Sequence, residues 1–332
     1  MEIMEQIIDK LKNSKRVLIA SHTNPDGDAV GSLVALGLSL LTLGKEAVLF
    51  NESPIPAVYR FLSGVDQVVN RLKEGCIFDT AVVLDCGDLH RVGGAAPIVE
   101  HIPVVINIDH HVTNTRFGHF QLIDPEACAT AEIIYRLIFA MEIPVTLEIA
   151  NAIYTGILTD TGSFRFSNTN RRAFEICEKM VSRGVDPYRI AQQVYGTYSL
   201  GRIKLLNLAL DSIEISKNGK LSMMVVTQQM IRETRARAED TDGLINYARG
   251  IKDVKVAVLI EELNHGRDGK GVGAKNFSPL PYHVSLRSDG SVDVAAIAAA
   301  FGGGGHSSAA GFNIGSTLPE IKTKIIGLAE EM

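Results

Sequence analysis

The sequence predicts an α/β fold in two domains, a larger N-terminal domain built on a parallel sheet and a smaller C-terminal α/β domain, joined by a helical connector. Two observations predict the first domain: short β-branched apolar runs alternate with helical patterns from residue 15 to about 184, and turns rich in Asn, Asp and Gly follow some of these runs. A third observation, a new series of strand-like runs beyond residue 215, predicts the second domain.

The strand-like runs of the first domain are apolar without a polar face, as expected for strands buried on both sides of a parallel sheet. They cover residues 17–20, 47–50, 81–85 and 104–109. Helical patterns cover residues 29–43, 130–141 and 147–158. In an open sheet of this kind the functional crevice lies beyond the carboxyl ends of the strands.

The segment 186–215 has a helical pattern that is interrupted near Gly196 and Gly201, and we interpret it as the connector. After it, strands are predicted at 221–227, 254–261 and 282–286, and a short helix is predicted at 293–301 before a run of glycines. The predicted limits are therefore 1–185 for the first domain, 186–215 for the connector and 216–332 for the second domain.

Composition excludes several classes of protein. Of 332 residues, 46% are hydrophobic and 21% are charged, which is typical of a globular protein. The longest uncharged run, 29–44, is shorter than the roughly 20 residues needed to cross a bilayer, so no membrane association is expected. The net charge of −5 argues against binding of long duplex DNA and leaves a short anionic substrate open.

The four cysteines show no CxxC spacing and no disulfide-dense pattern. This usage suits a reducing compartment, so we predict buried thiols and a cytoplasmic location.

The stretch VLIASHTNPDGDAVGS gathers His22, Asp26 and Asp28 just after the first predicted strand. Two carboxylates and an imidazole at this density are costly to hold together unless cations offset the charge repulsion. The alternative is an Asx-rich turn in which Asp28 serves as the N-cap of the following helix. The stretch alone leaves both interpretations open.

Three further segments offer ligand-type side chains near the same sheet edge. One strand ends in Asp85, another in Asp109-His110-His111, and Asp160 follows the helical pattern 147–158. Asp88 is either an acid that supports the ligands or an ordinary turn residue, and the sequence leaves both open. A mixed oxygen and imidazole shell favours Mn²⁺ over Mg²⁺, with Co²⁺ among the other possible ions. Two divalent ions about 3.5–4 Å apart are typical of enzymes that cleave phosphate esters.

At this point the chain resembles a known family, the DHH phosphoesterase superfamily with its DHH-associated C-terminal domain. The motifs that carry the resemblance are SHTNPDGDAVGS, VVLDCGD, IDHH, TGILTDTGSF and FGGGGHSSAAG, and they cover nearly the whole chain. Within the superfamily the chain is most similar to the bacterial nano-RNases that also remove the 3′-phosphate of 3′-phosphoadenosine 5′-phosphate.

The resemblance implies two divalent ions held by six side chains in two overlapping sets: His22, Asp26, Asp85 and Asp160 for one ion, and Asp28, Asp85, His110 and Asp160 for the other. Asp85 and Asp160 would bridge the ions and act as catalytic residues. Asp109 would orient His110 from outside the ligand shell. His111, also catalytic, would face the scissile phosphate and stabilise its charge.

The C-terminal glycine run allows backbone N–H groups to approach an anion, although a flexible turn would look the same. The residues expected to bind substrate are Arg287, Ser288, Gly303, Gly304, Gly305, His306 and Arg91. A guanidinium suits phosphate, which favours Arg287; Arg91 is equally well an exposed structural arginine. Glu132 has core-like neighbours, and we interpret it as structural.

The expected substrates are oligoribonucleotides of a few residues and 3′,5′-bisphosphonucleotides, bound between the two domains. The nearest alternative is hydrolysis of a cyclic dinucleotide or of its linear product. An inorganic pyrophosphatase would be expected to carry a Ser-Arg-Lys anion site in place of FGGGGH, and a non-catalytic nucleic-acid-binding protein would be expected to lack a metal ligand. A homodimer is left open by the sequence.

Overall fold

The computed structural model describes residues 2–73, 75–196, 198–263 and 281–330, and the chain divides into two compact units, Met1–Thr197 and Tyr198–Met332. The strands described in the first unit are β1 (Arg16–Ser21), β2 (Glu46–Phe50), β3 (Thr80–Leu84), β4 (Val104–Asp109) and β5 (Phe120–Ile123). Its described helices are α1 (Ile3–Asn13), α2 (Gly27–Thr42), α3 (Ala96–Glu100), α4 (Thr130–Ala140), α5 (Leu147–Asp160), α6 (Arg171–Ser182) and α7 (Pro187–Tyr195).

The five strands form an all-parallel sheet in the order β2-β1-β3-β4-β5. Ser21 pairs with Leu84, and Leu84 pairs with Ile108. Because the strands run in parallel and in this register, the residues that follow β1, β3 and β4 come to the same edge of the sheet. The α/β fold with a parallel sheet is confirmed.

Both faces of this sheet are buried, because alternate strand residues enter two different cores. Along β1, Val17 and Ile19 belong to the larger core under α2, α4 and α5, whereas Leu18 and Ala20 belong to a smaller core that includes Val99 of α3. This arrangement explains why the strands lack a polar face in the sequence.

Helices α2 and α5 pack closely because small residues lie between them. A Cβ atom at Gly31 would lie 2.4 Å from the carbonyl oxygen of Ala152, and a Cβ atom at Gly156 would lie 3.0 Å from Oδ1 of Asp28. Only glycine therefore permits this approach, which brings the start of α2 beside α5 and the carboxylate of Asp28 toward the sheet edge.

The second unit has the described strands β6 (Glu214–Ile215), β7 (Leu221–Val226), β8 (Val256–Glu262), β9 (Pro281–Ser288), β10 (Gly304–His306) and β11 (Ala309–Gly315). Its described helices are α8 (Leu200–Asp211), α9 (Gln228–Thr234), α10 (Ile245–Arg249), α11 (Val294–Ala300) and α12 (Leu318–Glu330). The sheet is mixed, in the order β10-β11-β9-β8-β7-β6, and β7 and β8 are its parallel pair.

Each face of the second sheet carries its own core. Val294 and Ile325 of α11 and α12 pack on one face, whereas Leu205 and Ala248 of α8 and α10 pack on the other. The two cores account for the compactness of this unit.

The segment 186–215 contains α7, α8 and β6. Ile190 and Val194 of α7 are buried in the core of the first unit, whereas Leu205 and Ala209 of α8 are buried in the second. Each helix is thus a part of the unit whose core its apolar side chains enter. Among the described residues, none of the helices combines the length and the apolarity that crossing a bilayer requires.

Candidate metal centre

Histidine and aspartate side chains from four segments meet at the carboxyl edge of the first sheet. His22 follows β1, Asp85 follows β3, His110 follows β4, and Asp160 is the last residue of α5. Asp85 is almost fully buried and has a left-handed backbone (φ 55°), a conformation that Asp adopts more readily than most residues. The tight turn at Asp85 therefore directs its carboxylate into the cluster.

A first group of candidate ligands consists of His22, Asp26 and Asp85, whose ligand atoms lie within 4.8 Å of one another. Nε2 of His22 is 3.4 Å from Oδ2 of Asp85 and 4.0 Å from Oδ1 of Asp26. Nδ1 of His22 lies 2.9 Å from the carbonyl oxygen of Thr23, which directs Nε2 toward the carboxylates.

The first turn of α2 decides which aspartate caps the helix, a point that the sequence left open. The N-cap is Asp26, whose Oδ1 accepts hydrogen bonds from the backbone N–H groups of Asp28 and Ala29, each at 3.0 Å. Asp28 does not cap α2, because it already lies within the helix. Both aspartates are therefore kept in place by the same helix start, one as its cap and the other from its first turn.

A second group consists of Asp28, His110 and Asp160, again with ligand atoms within 4.8 Å. Nε2 of His110 lies 3.6 Å from Oδ2 of Asp160 and 3.9 Å from Oδ2 of Asp28. Asp160 joins this group, and its predicted second role as a bridge between the ions stays a prediction.

Asp85 links the two groups, as a bridging ligand must. Its Oδ2 faces His22, whereas its Oδ1 lies 3.7 Å from Nε2 of His110 and 3.7 Å from Nδ1 of His111. These three residues, Asp85, His110 and His111, also form a candidate ligand group of their own.

Asp28 is held by contacts that the sequence pattern did not reveal. Its carboxylate accepts hydrogen bonds from the backbone N–H groups of Thr130 (2.6 Å) and Ala131 (2.9 Å) and from Oγ of Ser32 (3.1 Å). The N–H groups at the start of a helix are short of partners and favour negative charge. The hydroxyl of Thr130 also donates to Oδ1 of Asp85 at 3.0 Å.

The pKa values in this cluster are shifted because several carboxylates lie close to one another and to imidazoles. Burial, together with the neighbouring Asp85, raises the pKa of Asp28 well above its usual value. Burial also raises the pKa of Asp160 to about 6. Burial also disfavours a charged Asp85. The hydrogen bond from His22 and the nearby imidazoles outweigh this effect and hold the pKa of Asp85 below its usual value.

Burial disfavours a charged imidazole at His110, but the carboxylates of Asp160, Asp85 and Asp28 raise its pKa to about 9. The cluster consists of four carboxylates and two imidazoles, of which Asp28, Asp85, His22 and His110 are buried, Asp160 is half-buried and Asp26 is exposed. This set fits divalent cations, because bound cations would replace protons as the source of positive charge.

The structure corrects the predicted role of Asp109. Oδ1 of Asp109 lies 2.6 Å from Nδ1 of His111, whereas Nδ1 of His110 lies 3.3 Å from the carbonyl oxygen of Ala127. Oδ2 of Asp109 accepts a hydrogen bond from Nδ2 of Asn114 at 2.6 Å. Asp109 therefore orients the second histidine of the motif, because the turn after β4 directs the two imidazoles differently.

Arg91 and Asp88 lie in the turn after Asp85. Burial opposes a charged imidazole at His22, but the hydrogen bond to Asp85 and the charge of Asp26 raise its pKa above the usual value, and the charge of Arg91 acts against that rise. The carbonyl oxygen of Arg91 accepts a hydrogen bond from the N–H of Thr23. The exposed arginine is thus close to the first ligand group. Asp88 instead accepts a hydrogen bond from the N–H of His90 at 2.8 Å and caps a short 3₁₀ helix, and it belongs to none of the ligand groups found among the described residues.

In the second unit, the backbone register aligns Arg287 with Ala309, and Ala309 with His306. The side chain of His306 lies outside what the structure describes. Ser288 is buried, and its hydroxyl contacts the carbonyl oxygen of Ser307 at 3.4 Å. Because successive strand residues face opposite sides of a sheet, the structure does not bring Arg287 and Ser288 to one face, as the predicted anion pocket requires.

Part of the glycine run is a strand, whereas the sequence left a flexible turn open. Gly304, Gly305 and His306 form β10, which pairs with β11. A Cβ atom at Gly303 would lie 2.1 Å from the carbonyl oxygen of Gly311, and Gly305 has a φ of 146°. Two of these glycines are therefore required by the close approach of the chain and by the backbone conformation.

Comparison with known proteins shows the family of this chain. Residues 16–157 match the DHH family, N-terminal domain, and residues 222–331 match the DHHA1 domain. A Thermus thermophilus protein named bifunctional oligoribonuclease and PAP phosphatase NrnA is 32% identical over 322 residues, which cover 95% of this chain and 89% of that protein. The chain belongs to the DHH family.

Two further relatives extend the comparison of this DHH protein. A Bacillus subtilis protein of the same name is 25% identical, over 90% of this chain and 89% of its own length. The crystal structure of an exopolyphosphatase-related protein from Bacteroides fragilis has a TM-score of 0.87 and 27% identity, and covers 99% of this chain and 95% of that one. The predicted family, its NrnA branch and the two-domain α/β fold are thereby confirmed.

Proposed function

We propose that this DHH protein is a di-metal phosphohydrolase that degrades short oligoribonucleotides and removes the 3′-phosphate of 3′-phosphoadenosine 5′-phosphate. The observation that carries the proposal is the pair of candidate ligand groups joined through Asp85. The relatives named as oligoribonucleases and PAP phosphatases support the choice of substrates.

Two divalent ions would be held by six residues: His22, Asp26, Asp28, Asp85, His110 and Asp160. Mn²⁺ is the preferred metal, and Mg²⁺ and Co²⁺ are the alternatives. The mixture of imidazole and carboxylate donors supports Mn²⁺. Such a pair, when bound, supplies Lewis acidity toward the phosphate and a nucleophile for phosphorus.

The residues around the ions orient the substrate and stabilise charge. His111 donates a hydrogen bond to a phosphate oxygen of the substrate, and its orientation comes from the contact between its Nδ1 and Asp109. Arg91, whose charge already acts on His22, adds an attraction for the anionic substrate on the first unit.

Residues of the second unit bind the end of the substrate. Arg287 offers a guanidinium that suits phosphate, and backbone N–H groups of the glycine run, Gly303 to Gly305, together with His306 add hydrogen bonds. Ser288 supports these residues by donating a hydrogen bond to the carbonyl oxygen of Ser307, which follows His306 in the chain. The net charge of −5 provides no extended basic track, so short substrates are preferred over long RNA.

The four cysteines are free thiols in the structure, and Cys86, Cys128 and Cys177 are buried. Free thiols support a reducing, cytoplasmic location for the enzyme.

The proposal is tested with purified protein and Mn²⁺ on a panel of a dinucleotide, 3′-phosphoadenosine 5′-phosphate, a cyclic dinucleotide and pyrophosphate. We expect rapid hydrolysis of the first two, measured as product by chromatography, and parallel runs with Mg²⁺ and Co²⁺ rank the metals. Faster hydrolysis of the cyclic dinucleotide or of pyrophosphate would contradict the proposed substrates. Absence of hydrolysis of every substrate with every metal would contradict the proposal that the protein is a phosphohydrolase.

A further inference from the structure

The segment 127–131, which leads into the first turn of α4, contacts the candidate ligands at several points. The backbone N–H groups of Thr130 and Ala131 donate to the two carboxylate oxygens of Asp28. The hydroxyl of Thr130 donates to Oδ1 of Asp85. The start of α4 thus holds two carboxylates from distant parts of the chain, that of Asp28 in α2 and that of Asp85 after β3.

The same segment reaches two further ligands through its carbonyl groups. The carbonyl oxygen of Ala127 lies 3.3 Å from Nδ1 of His110. The carbonyl oxygen of Cys128 accepts a hydrogen bond at 2.9 Å from Nδ2 of Asn168, and that nitrogen also lies 3.0 Å from Oδ2 of Asp160. A displacement of this segment would therefore disturb four of the six candidate ligands together.

Glu132 contacts this segment through the backbone N–H of Cys128. Its side chain has no exposed surface, and its Oε2 accepts hydrogen bonds from the backbone N–H of Cys128 (3.0 Å) and from Nδ2 of Asn170 (3.3 Å). Its Oε1 accepts a hydrogen bond from Nη1 of Arg172 at 3.2 Å and lies 3.8 Å from Nη1 of Arg136, so that these two arginines form a pair beside it. A buried carboxylate is costly to keep, and these donors are what offset the cost.

We propose that Glu132 is a positioning residue of the metal centre, which acts on the ligands through the N–H of Cys128 and the 127–131 segment. It belongs to none of the ligand groups found among the described residues. The inference rests on the proposed di-metal function and deepens it. Removal of an outer partner of a single metal ligand typically changes metal affinity by about 10–100-fold, and we expect an effect of this size here because the segment contacts four candidate ligands.

The test compares Glu132→Gln with Asp124→Asn in the full-length protein. Asp124 bonds to Arg136 and lies 3.9 Å from Arg172, so its substitution disturbs the same arginine pair while leaving the contact to Cys128 intact. Each metal-free protein is titrated with Mn²⁺, and free Mn²⁺ is followed by its electron paramagnetic resonance signal. Thermal unfolding of each metal-free protein is measured in parallel.

We expect Glu132→Gln to weaken Mn²⁺ binding about 10–100-fold and Asp124→Asn to leave it within about threefold of wild type, even where the two variants lose similar thermal stability. If Glu132→Gln does not fold, Glu132→Asp replaces it, because a shorter side chain keeps the charge but withdraws it from Cys128. We expect the same weakening there.

Wild-type Mn²⁺ affinity in a folded Glu132 variant would overturn the inference and leave the proposed function standing. An equal loss in Asp124→Asn would also overturn it, since the effect would then follow the arginine pair. Absence of Mn²⁺ binding by the wild-type protein would overturn both the inference and the proposed function.

Discussion

Substitution of Asp85 by Asn tests the shared ligand directly. Asn keeps the size of the side chain and, like Asp, adopts the left-handed backbone found at this position, so the fold should persist. The substitution removes a negative charge that faces both ligand groups, toward His22 on one side and His110 on the other. Both metal positions should therefore weaken together.

The size of the effect follows from the distances. The carboxylate of Asp85 lies 3.4–3.7 Å from three imidazoles, so positive charge at this site is about 4 Å away or closer. At an effective dielectric constant of about 20, two unit charges about 4 Å apart interact by about 4 kcal/mol. A loss of about 4 kcal/mol in the transition state corresponds to a fall of about 10³-fold in turnover, and divalent ions would increase it.

The assay measures turnover of a dinucleotide and of 3′-phosphoadenosine 5′-phosphate at saturating Mn²⁺, with circular dichroism as the check on folding. Asp88→Asn is the matched control, because Asp88 follows Asp85 by three residues and caps a 3₁₀ helix instead of joining a ligand group. Turnover above about a tenth of wild type in folded Asp85→Asn would refute the bridging role. An equal loss in Asp88→Asn would show that any change in this turn is harmful.

Three further predictions follow. Rates of hydrolysis on 5′-labelled RNAs of about two, five, twelve and twenty-four nucleotides should fall with length. Arg287→Ala should reduce the difference in rate between short and long RNAs, because one of two contact points for a short chain is lost. His306→Ala should raise KM several-fold at unchanged metal content, measured by elemental analysis, since the residue is proposed to bind substrate. Mn²⁺ binding at about pH 7 should release protons, which is measured by calorimetry in buffers of different ionisation enthalpy. Burial disfavours a charged His110, but the carboxylates raise its pKa to about 9, so that it is protonated at this pH and must lose its proton to bind the metal.

Each of these predictions has a contradicting result. Faster degradation of the longest RNA, or an unaltered length preference in Arg287→Ala, would exclude recognition at two points. A fall in metal content in His306→Ala would assign that residue to the metal shell. Mn²⁺ affinity that stays constant as pH rises from about 7 to about 9 would show that His110 is not a ligand.

The candidate ligands could be found in the sequence because they are local to recognisable elements. β4 covers the predicted residues 104–109, and His110 follows it directly. Strands buried on both faces are visible as apolar runs, and the residues after parallel strands must share an edge. The pattern therefore predicted which segments converge without any knowledge of the contacts between them.

Short or weakly patterned elements were not found in this way. β5 has four residues, and β10 has three residues that include two glycines. The pairing of β10 with β11 depends on a close approach of two backbones, which residue preferences along a single strand do not express.

The contacts that set the orientation of the ligands were decided only by the tertiary structure. Asp28 is 102 residues from Thr130, from whose N–H it accepts a hydrogen bond, and the core-like neighbours of Glu132 in the sequence do not reveal that its carboxylate accepts a hydrogen bond from the N–H of Cys128. Asp109 lies next to His110 in the chain but bonds to His111. Sequence spacing determines which side chains are near a site, but the direction of each side chain depends on backbone turns and on partners brought from distant elements by packing.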